Sequence, residues 1–439
     1  MARARAKDGR YGRMGRAGGM RVSEGGASGR GASGGDGVPV FEGDAMRLDP
    51  RDPAFFNDPW PAYAAMHARG ASHVWSEYGH RCFNAHADVA ALLRDARFGR
   101  PADPGASRAP RVGLERFDAV DALSLLELEP PHHARLRGRV NRSFVSRSIA
   151  RLAPFIERRA HELIDGFGAD GVDLLEAYAA PLPVETIALH LGVPREDAVA
   201  LLRWSHAMVA MYQFDVGGAV RARAEAATRE FEDYLRRHLE ARRAAPADDL
   251  LSALAVGGED ALSDDEIVAT AILLLNAGHE ATVHQIGNAV RALLLHPQPD
   301  GWWRDDDAVS RTVEEAMRFD APLHLFTRHA YRDVEWTDAD GRAVPIAAGE
   351  TVGLLLGAAN RDPRRYERPG AFDPARGRPD HVAFGGGIHF CVGAPLARVE
   401  MRIALRTLHE RLPALRLAGA PRYADTFHFH GLGALPVAW

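Results

Sequence analysis

From Asp49 onward, apolar residues return every three or four positions over long stretches, the spacing that lines them along one face of a helix. The pattern predicts helices over 60–67, 89–94, 150–166, 184–191, 219–243 and 264–296. The last of these is long enough for about nine turns. Strand-like pieces are few and short, at 72–75, 81–84, 351–355 and 428–437. No internal repeat is visible, and no Gly/Ser linker follows residue 46. The pattern predicts a mainly α protein: one large helical domain over residues 45–439 with small β-sheets at its edge.

Residues 1–44 read differently. Gly, Arg, Ala and Ser dominate the segment, and large apolar residues are nearly absent up to about residue 38. Such a chain buries too little surface to offset its ordering entropy, so it is expected to be a disordered extension.

Composition narrows the function classes. The 439 residues are 46% hydrophobic and 26% charged, an ordinary globular balance with a core large enough to enclose a bulky ligand. A net charge of −5 gives no overall field toward nucleic acid or anionic lipid. The longest apolar run, 267–275, falls short of the roughly 20 residues a bilayer span needs. Two cysteines, Cys82 and Cys391, are too few for a disulfide framework. Together these point to a cytoplasmic monomer that acts on small molecules, with no nucleic-acid or membrane partner.

The chemistry gathers around the second cysteine, in Phe384-Gly-Gly-Gly-Ile-His389-Phe-Cys391-Val-Gly393-Ala-Pro395. Three glycines permit a backbone approach that side chains would block. Pro395 fits the first turn of a helix, along which Leu396, Val399, Leu405, Leu408 and Leu412 form an apolar stripe. Cys391 then sits at a helix N-terminus, where the positive dipole end favours thiolate.

This stretch resembles the haem-binding signature of the cytochrome P450 family, Phe-x-x-Gly-x-His/Arg-x-Cys-x-Gly, at every defined position. The resemblance implies heme b (iron protoporphyrin IX) buried between the long central helix and the cysteine-loop helix. It makes Cys391 the iron ligand, with Phe384 shielding the sulfur, Gly393 closing the loop and His389 donating to a propionate. Pro130-Pro-His-His133-Ala-Arg-Leu-Arg137 is similar to the segment whose His and Arg bind a propionate, here His133 and Arg137. Arg328 matches the strand arginine on the other propionate. Glu315-Ala-Met-Arg318 resembles the family's buried ion pair. Arg376 is its third member, although Ala371 stands where many relatives carry another arginine.

Ala277-Gly-His-Glu280-Ala281-Thr282 resembles the family's oxygen-binding groove. Ala277 is expected to leave space above the iron, and Glu280 to belong to the proton path. Ala281 stands where a catalytic Thr is usual, and Thr282 lies roughly 100° further round the helix. Proton supply is therefore expected through water, Glu280 or a substrate hydroxyl. The pocket walls are expected to include Leu274, Leu325, Phe427 in the 426–429 turn and the 100–115 loop, with Met208, Met211 and Tyr212 as a roof.

The implied activity is insertion of one oxygen atom from O2 into a small apolar molecule, with hydroxylation the expected outcome. Secondary metabolites, xenobiotics, terpenoids and fatty acids are all candidate substrates. No reductase domain fits in the chain, so electrons are expected from ferredoxin and ferredoxin reductase. Ala281 keeps open a peroxide-using or non-oxygenating haem protein. A zinc hydrolase is a third reading, since His279-Glu280 begins a His-Glu-x-x-His pattern. The second histidine would be residue 283, which is Val283, and His284 is i,i+5 from His279.

Overall fold

The computed structural model describes residues 37–103, 110–258, 261–299 and 301–439. The helices that build the site are α1 (Trp60–Arg69), α2 (His132–Asn141), α3 (Ala153–Asp165), α4 (Pro181–Leu191) and α5 (Ala198–Val209). They continue with α6 (Gly218–Ala244), α7 (Asp264–Leu295), α8 (Asp306–Phe319) and α9 (Ala394–Arg411).

The long helix α7 begins where its sequence directs. Ser263 accepts from Glu266 N at 3.2 Å while the Glu266 carboxylate accepts from Ser263 N at 2.8 Å, a capping box. Asp264, Asp265 and Glu266 add negative charge at the positive end of the dipole. The helix then runs unbroken through Gly278, where a Cβ would sit 3.3 Å from Ile187 of α4. Ile267, Val268, Ile272, Leu275, Ile286 and Val290 are all buried, so α7 is apolar nearly all round and forms the axis of the core. α4, α5, α6, α8 and α9 pack against it.

Beside the helices lies a seven-stranded sheet of β1 (Val40–Glu42), β2 (Ala45–Arg47), β3 (Ser72–Trp75), β4 (His80–Phe83), β5 (Phe98–Gly99), β6 (Leu325–Ala330) and β7 (Thr351–Leu355). Its order is β1-β2-β3-β4-β7-β6-β5, and β7 pairs antiparallel with β6 so that Val352 faces Arg328. Among the described residues, no helix is long and apolar enough to cross a membrane.

Two expectations shift. The extension expected through residue 44 gives way to structure at least from Gly37. Val40–Glu42 pairs with Ala45–Arg47 in a hairpin that turns at Gly43, whose φ is +64°. Its apolar residues are Val40, Phe41, Ala45 and Met46, split between two three-residue strands too short to register as periodicity. The rest of the expected extension lies outside the described residues. The strand expected over 428–437 is divided into Leu432–Ala434 and Pro436–Ala438, with the preceding residues in an irregular turn.

Candidate functional site

A cavity of about 840 Å³ lies between α7 and the cysteine loop. Leu274, Ala277, Gly278, Ala281 and Thr282 of α7 line it, as do Cys391 and Gly393 of the loop. Leu325 and the turn from Thr426 to Phe429, including Phe427, complete much of its apolar wall. Met208 and Tyr212 also reach it, whereas Met211 does not and packs on the core. Of the expected 100–115 loop, Arg100 is on the wall and 104–109 lie outside the described residues.

The cysteine loop is shaped by its glycines. Gly387 has φ +66° and a Cβ there would meet Leu93 O at 2.4 Å, so only glycine fits. The loop closes when Cys391 N donates to Phe384 O at 3.0 Å. Gly393 then caps α9, and its amide and that of Ala394 point at the Cys391 sulfur. Burial pushes this thiol up all the same, against those amides and the nearby charge of Arg137. The helix end therefore moderates the thiol without ionising it; a metal ion that coordinates the sulfur would deprotonate it. Cys82 is different: it is buried in β4 against Gly353 and is not on the wall.

Cations gather at one edge of the cavity. Arg328 is buried, donates to Thr327 O at 2.8 Å, and has no carboxylate partner among the described residues. Burial, and then the like charge of Arg100, push its guanidinium down to about 10. Arg137 lines the cavity while donating to Phe390 O at 2.7 Å and Asn141 Oδ1 at 2.9 Å. His389 lines it too, but its Nε2 meets Glu129 Oε1 at 3.1 Å. His133 departs from expectation. Its ring stands behind His389, with centroids 4.7 Å apart, and is not on the wall. Burial, then the charges of His389 and Arg137, lower its imidazole to about 4, and its Nε2 has no partner. Glu129 was unforeseen; Gly99 leaves room for it, since a Cβ there would strike Glu129 and Tyr331.

Along α7 the groove divides. Ala281 and Thr282 both face the cavity, and Thr282 Oγ1 donates to Gly278 O at 3.0 Å, so its proton is already committed. Glu280 is off the wall. Its carboxylate sits among His206 Nε2 at 3.3 Å, His279 Nε2 at 3.3 Å and His284 Nε2 at 3.2 Å. Burial would raise this carboxyl, yet the three imidazoles hold it well below the usual carboxylate range. His284, i,i+4 from Glu280, thus turns toward the acid although its spacing from His279 fails the zinc-hydrolase pattern. His206 comes from α5, far off in sequence, and no local signal announces it.

Comparison with known proteins agrees with this arrangement. The family model for cytochrome P450 matches residues 308–412, which include the Glu315–Arg318 pair and the cysteine loop. The chain is 38% identical over 422 residues to the cytochrome P450 monooxygenase PikC of Streptomyces venezuelae, covering 91% of this chain and 94% of that one. The chain belongs to the cytochrome P450 family. It is also 37% identical to nocardicin C N-oxygenase of Nocardia uniformis subsp. tsuyamanensis, over 86% of this chain and 95% of that one. The crystal structure of P450BioI with an acyl-carrier-protein ligand superposes with a TM-score of 0.81 at 33% identity, covering 88% of this chain and 99% of that one.

A P450 is an oxidoreductase that binds heme b through a cysteine thiolate. The residues here fit that group. Arg328, buried with no carboxylate partner among the described residues, and Arg137, whose hydrogen bonds go to neutral oxygens, make an edge that calls for carboxylates such as the two haem propionates. Behind the loop, Arg318 meets Glu315 in a two-pronged pair at 2.7 and 2.8 Å, both side chains being fully buried. Arg376 reaches Glu315 at 3.6 Å. Ala371 contributes its carbonyl, which accepts from Arg318 at 2.8 Å, so the pair is satisfied without a further arginine.

Proposed function

We propose that this P450 hydroxylates an apolar small molecule held in the 840 Å³ cavity, with Cys391 as the thiolate that would hold the haem iron. The observation that carries the reading is the shared cavity: Cys391 and the Ala277–Ala281 face of α7 line one space, with an unpaired buried cation at its edge. Heme b, when bound, supplies oxygen activation and insertion. Arg328 and Arg137 would hold its propionates, with Arg100, paired with Glu127, beside them, and Phe384 would cover the sulfur, with Arg398 stacked at 4.6 Å from its ring centroid. His389 joins them once it is released from Glu129, and His133 supports it from behind.

Leu274, Leu325 and Phe427 orient an apolar substrate by shape and exclude bulk water. Small Ala277 and Ala281 leave the room the reaction needs. Glu280, next to Ala281, serves as the ionised acceptor in a proton path; His206, with a side chain 44% exposed, connects that carboxylate to solvent. Ferredoxin and its reductase deliver the electrons. The test is turnover with such donors under isotopically labelled oxygen, using substrates selected by their shift of the haem absorption band. One labelled oxygen in the product is expected. Product that forms without label overturns the reading.

A further inference from the structure

The cluster around Glu280 has a geometry that proton transfer does not require. Two imidazole nitrogens, His206 Nε2 and His279 Nε2, each lie 3.3 Å from the same Glu280 oxygen, Oε2. Zinc with ligands at 2.0–2.1 Å in a tetrahedron holds its donor atoms about 3.3 Å apart. All three donor atoms fall within 4.8 Å of one another.

His279 makes the case sharper. It is fully buried, and its Nδ1 lies 2.9 Å from Leu275 O, a pure acceptor, so Nδ1 carries the proton. In the neutral ring, the Nε2 lone pair then faces a carboxylate oxygen, two acceptors that only a proton or a metal ion can bridge. That nitrogen makes no hydrogen bond. A cation between them removes the repulsion, and an imidazole whose other nitrogen donates to a backbone carbonyl is the usual arrangement of a metal ligand. Among the described residues, Glu280 pairs with imidazoles and with no Arg or Lys, so no permanent charge fills the place. The second histidine–carboxylate convergence, Asp320 with His324 and His430, lacks this property. It is sealed, and the positive charge of Arg361 bears on all three of its members.

We infer that His206, His279 and Glu280 form a binding site for a zinc-type divalent cation, with water in the fourth position. Access is through His206, whose side chain is half exposed. Coordination at neutral pH releases to solvent any protons held on the two Nε2 atoms. Because His206 belongs to α5 and the other two to α7, the ion fastens the cavity's Met208-bearing roof to its central wall. It also takes up the Glu280 carboxylate, so zinc lowers turnover; this consequence rests on the proton-supply reading of Glu280, while the site itself does not.

The experiment uses untagged, haem-loaded protein, stripped with a chelator and titrated with zinc chloride. One zinc per chain is expected by elemental analysis and calorimetry, and His206→Gln weakens its binding by at least about tenfold. In the wild type, zinc suppresses turnover and a chelator restores it; in His206→Gln, turnover is insensitive to zinc at the same concentration. No stoichiometric zinc, or equal affinity in the variant, overturns the site. Zinc bound at His206 with turnover unchanged upholds the site and removes Glu280 from proton supply.

Discussion

At the scale of single residues, Cys391 and Thr282 show how far a neighbour decides a side chain's role. Two cysteines are available, and only one faces the cavity; the other is buried in β4. Cys391→Ala is expected to abolish the red-shifted absorption band of the reduced carbon-monoxide complex, while Cys82→Ala leaves it in place. Retention of that band in Cys391→Ala would refute the assignment. Thr282 stands on the wall beside Ala281, yet its hydroxyl proton is given to Gly278 O. Thr282→Val is therefore expected to change product formed per electron pair by no more than about twofold, under half a kcal/mol. Ala281→Thr instead adds atoms where the wall is small, an overpacking that costs about 1–3 kcal/mol. Product per electron pair falls and peroxide release rises, both readable in one assay of donor consumed, product and peroxide.

Elements are held to one another by groups that each element alone would not reveal. Glu314 of α8 accepts from Arg398 of α9 at 2.6 and 3.0 Å and lies 3.2 Å from His381, just ahead of the cysteine loop. Burial would raise the Glu314 carboxyl, but His381 and Arg398 bring it down from 4.5 to about 2. A depressed carboxylate stabilises the fold above its unfolded value, and that contribution is lost as pH falls through the folded one. Here it is on the order of 3 kcal/mol at neutral pH and disappears mainly between pH 4.5 and 2. Glu314→Gln should thus lower stability to denaturant near neutral pH, and the gap from wild type should narrow by more than half near pH 3. A constant gap would show that packing, not charge, joins α8 to α9. The same distinction explains what the sequence disclosed. The cysteine loop was legible because each of its positions answers to a neighbour in sequence: Gly387 to a positive φ, Gly393 to the cap of α9. The Glu315–Arg318 pair was legible only because its one-turn spacing fell where the resemblance places a buried pair; the spacing by itself fits a surface pair. His206 against Glu280, and Glu129 against His389, join distant elements with no periodic trace, and the sequence was silent on both. The hairpin of β1 and β2 was missed because three-residue strands carry too little pattern.

Over the whole molecule, the protein alone bears a cost for the cationic edge of its cavity. Arg328 is 3% exposed, bonded to Thr327 O and, among the described residues, paired with no carboxylate, and burial together with Arg100 already depresses its guanidinium to about 10. A buried charge without a partner destabilises a fold, and an apolar residue of similar volume in its place is neutral or favourable. Haem propionates held there would reverse that sign, since each charge-assisted hydrogen bond contributes about 1.5–3 kcal/mol. The two effects separate in one cycle of four measurements, wild type and Arg328→Met, each with and without haem. Without haem, the variant is expected to melt at the same temperature as the wild type or above it. With haem, its affinity for the cofactor should fall about 10- to 100-fold, as the lost bonds require. Its melting temperature should then drop below that of the wild-type holoprotein, because stabilisation by a ligand grows with affinity. A variant that melts lower by the same margin in both states would show Arg328 to be ordinary packing, and the cationic edge of the cavity would lose its reason.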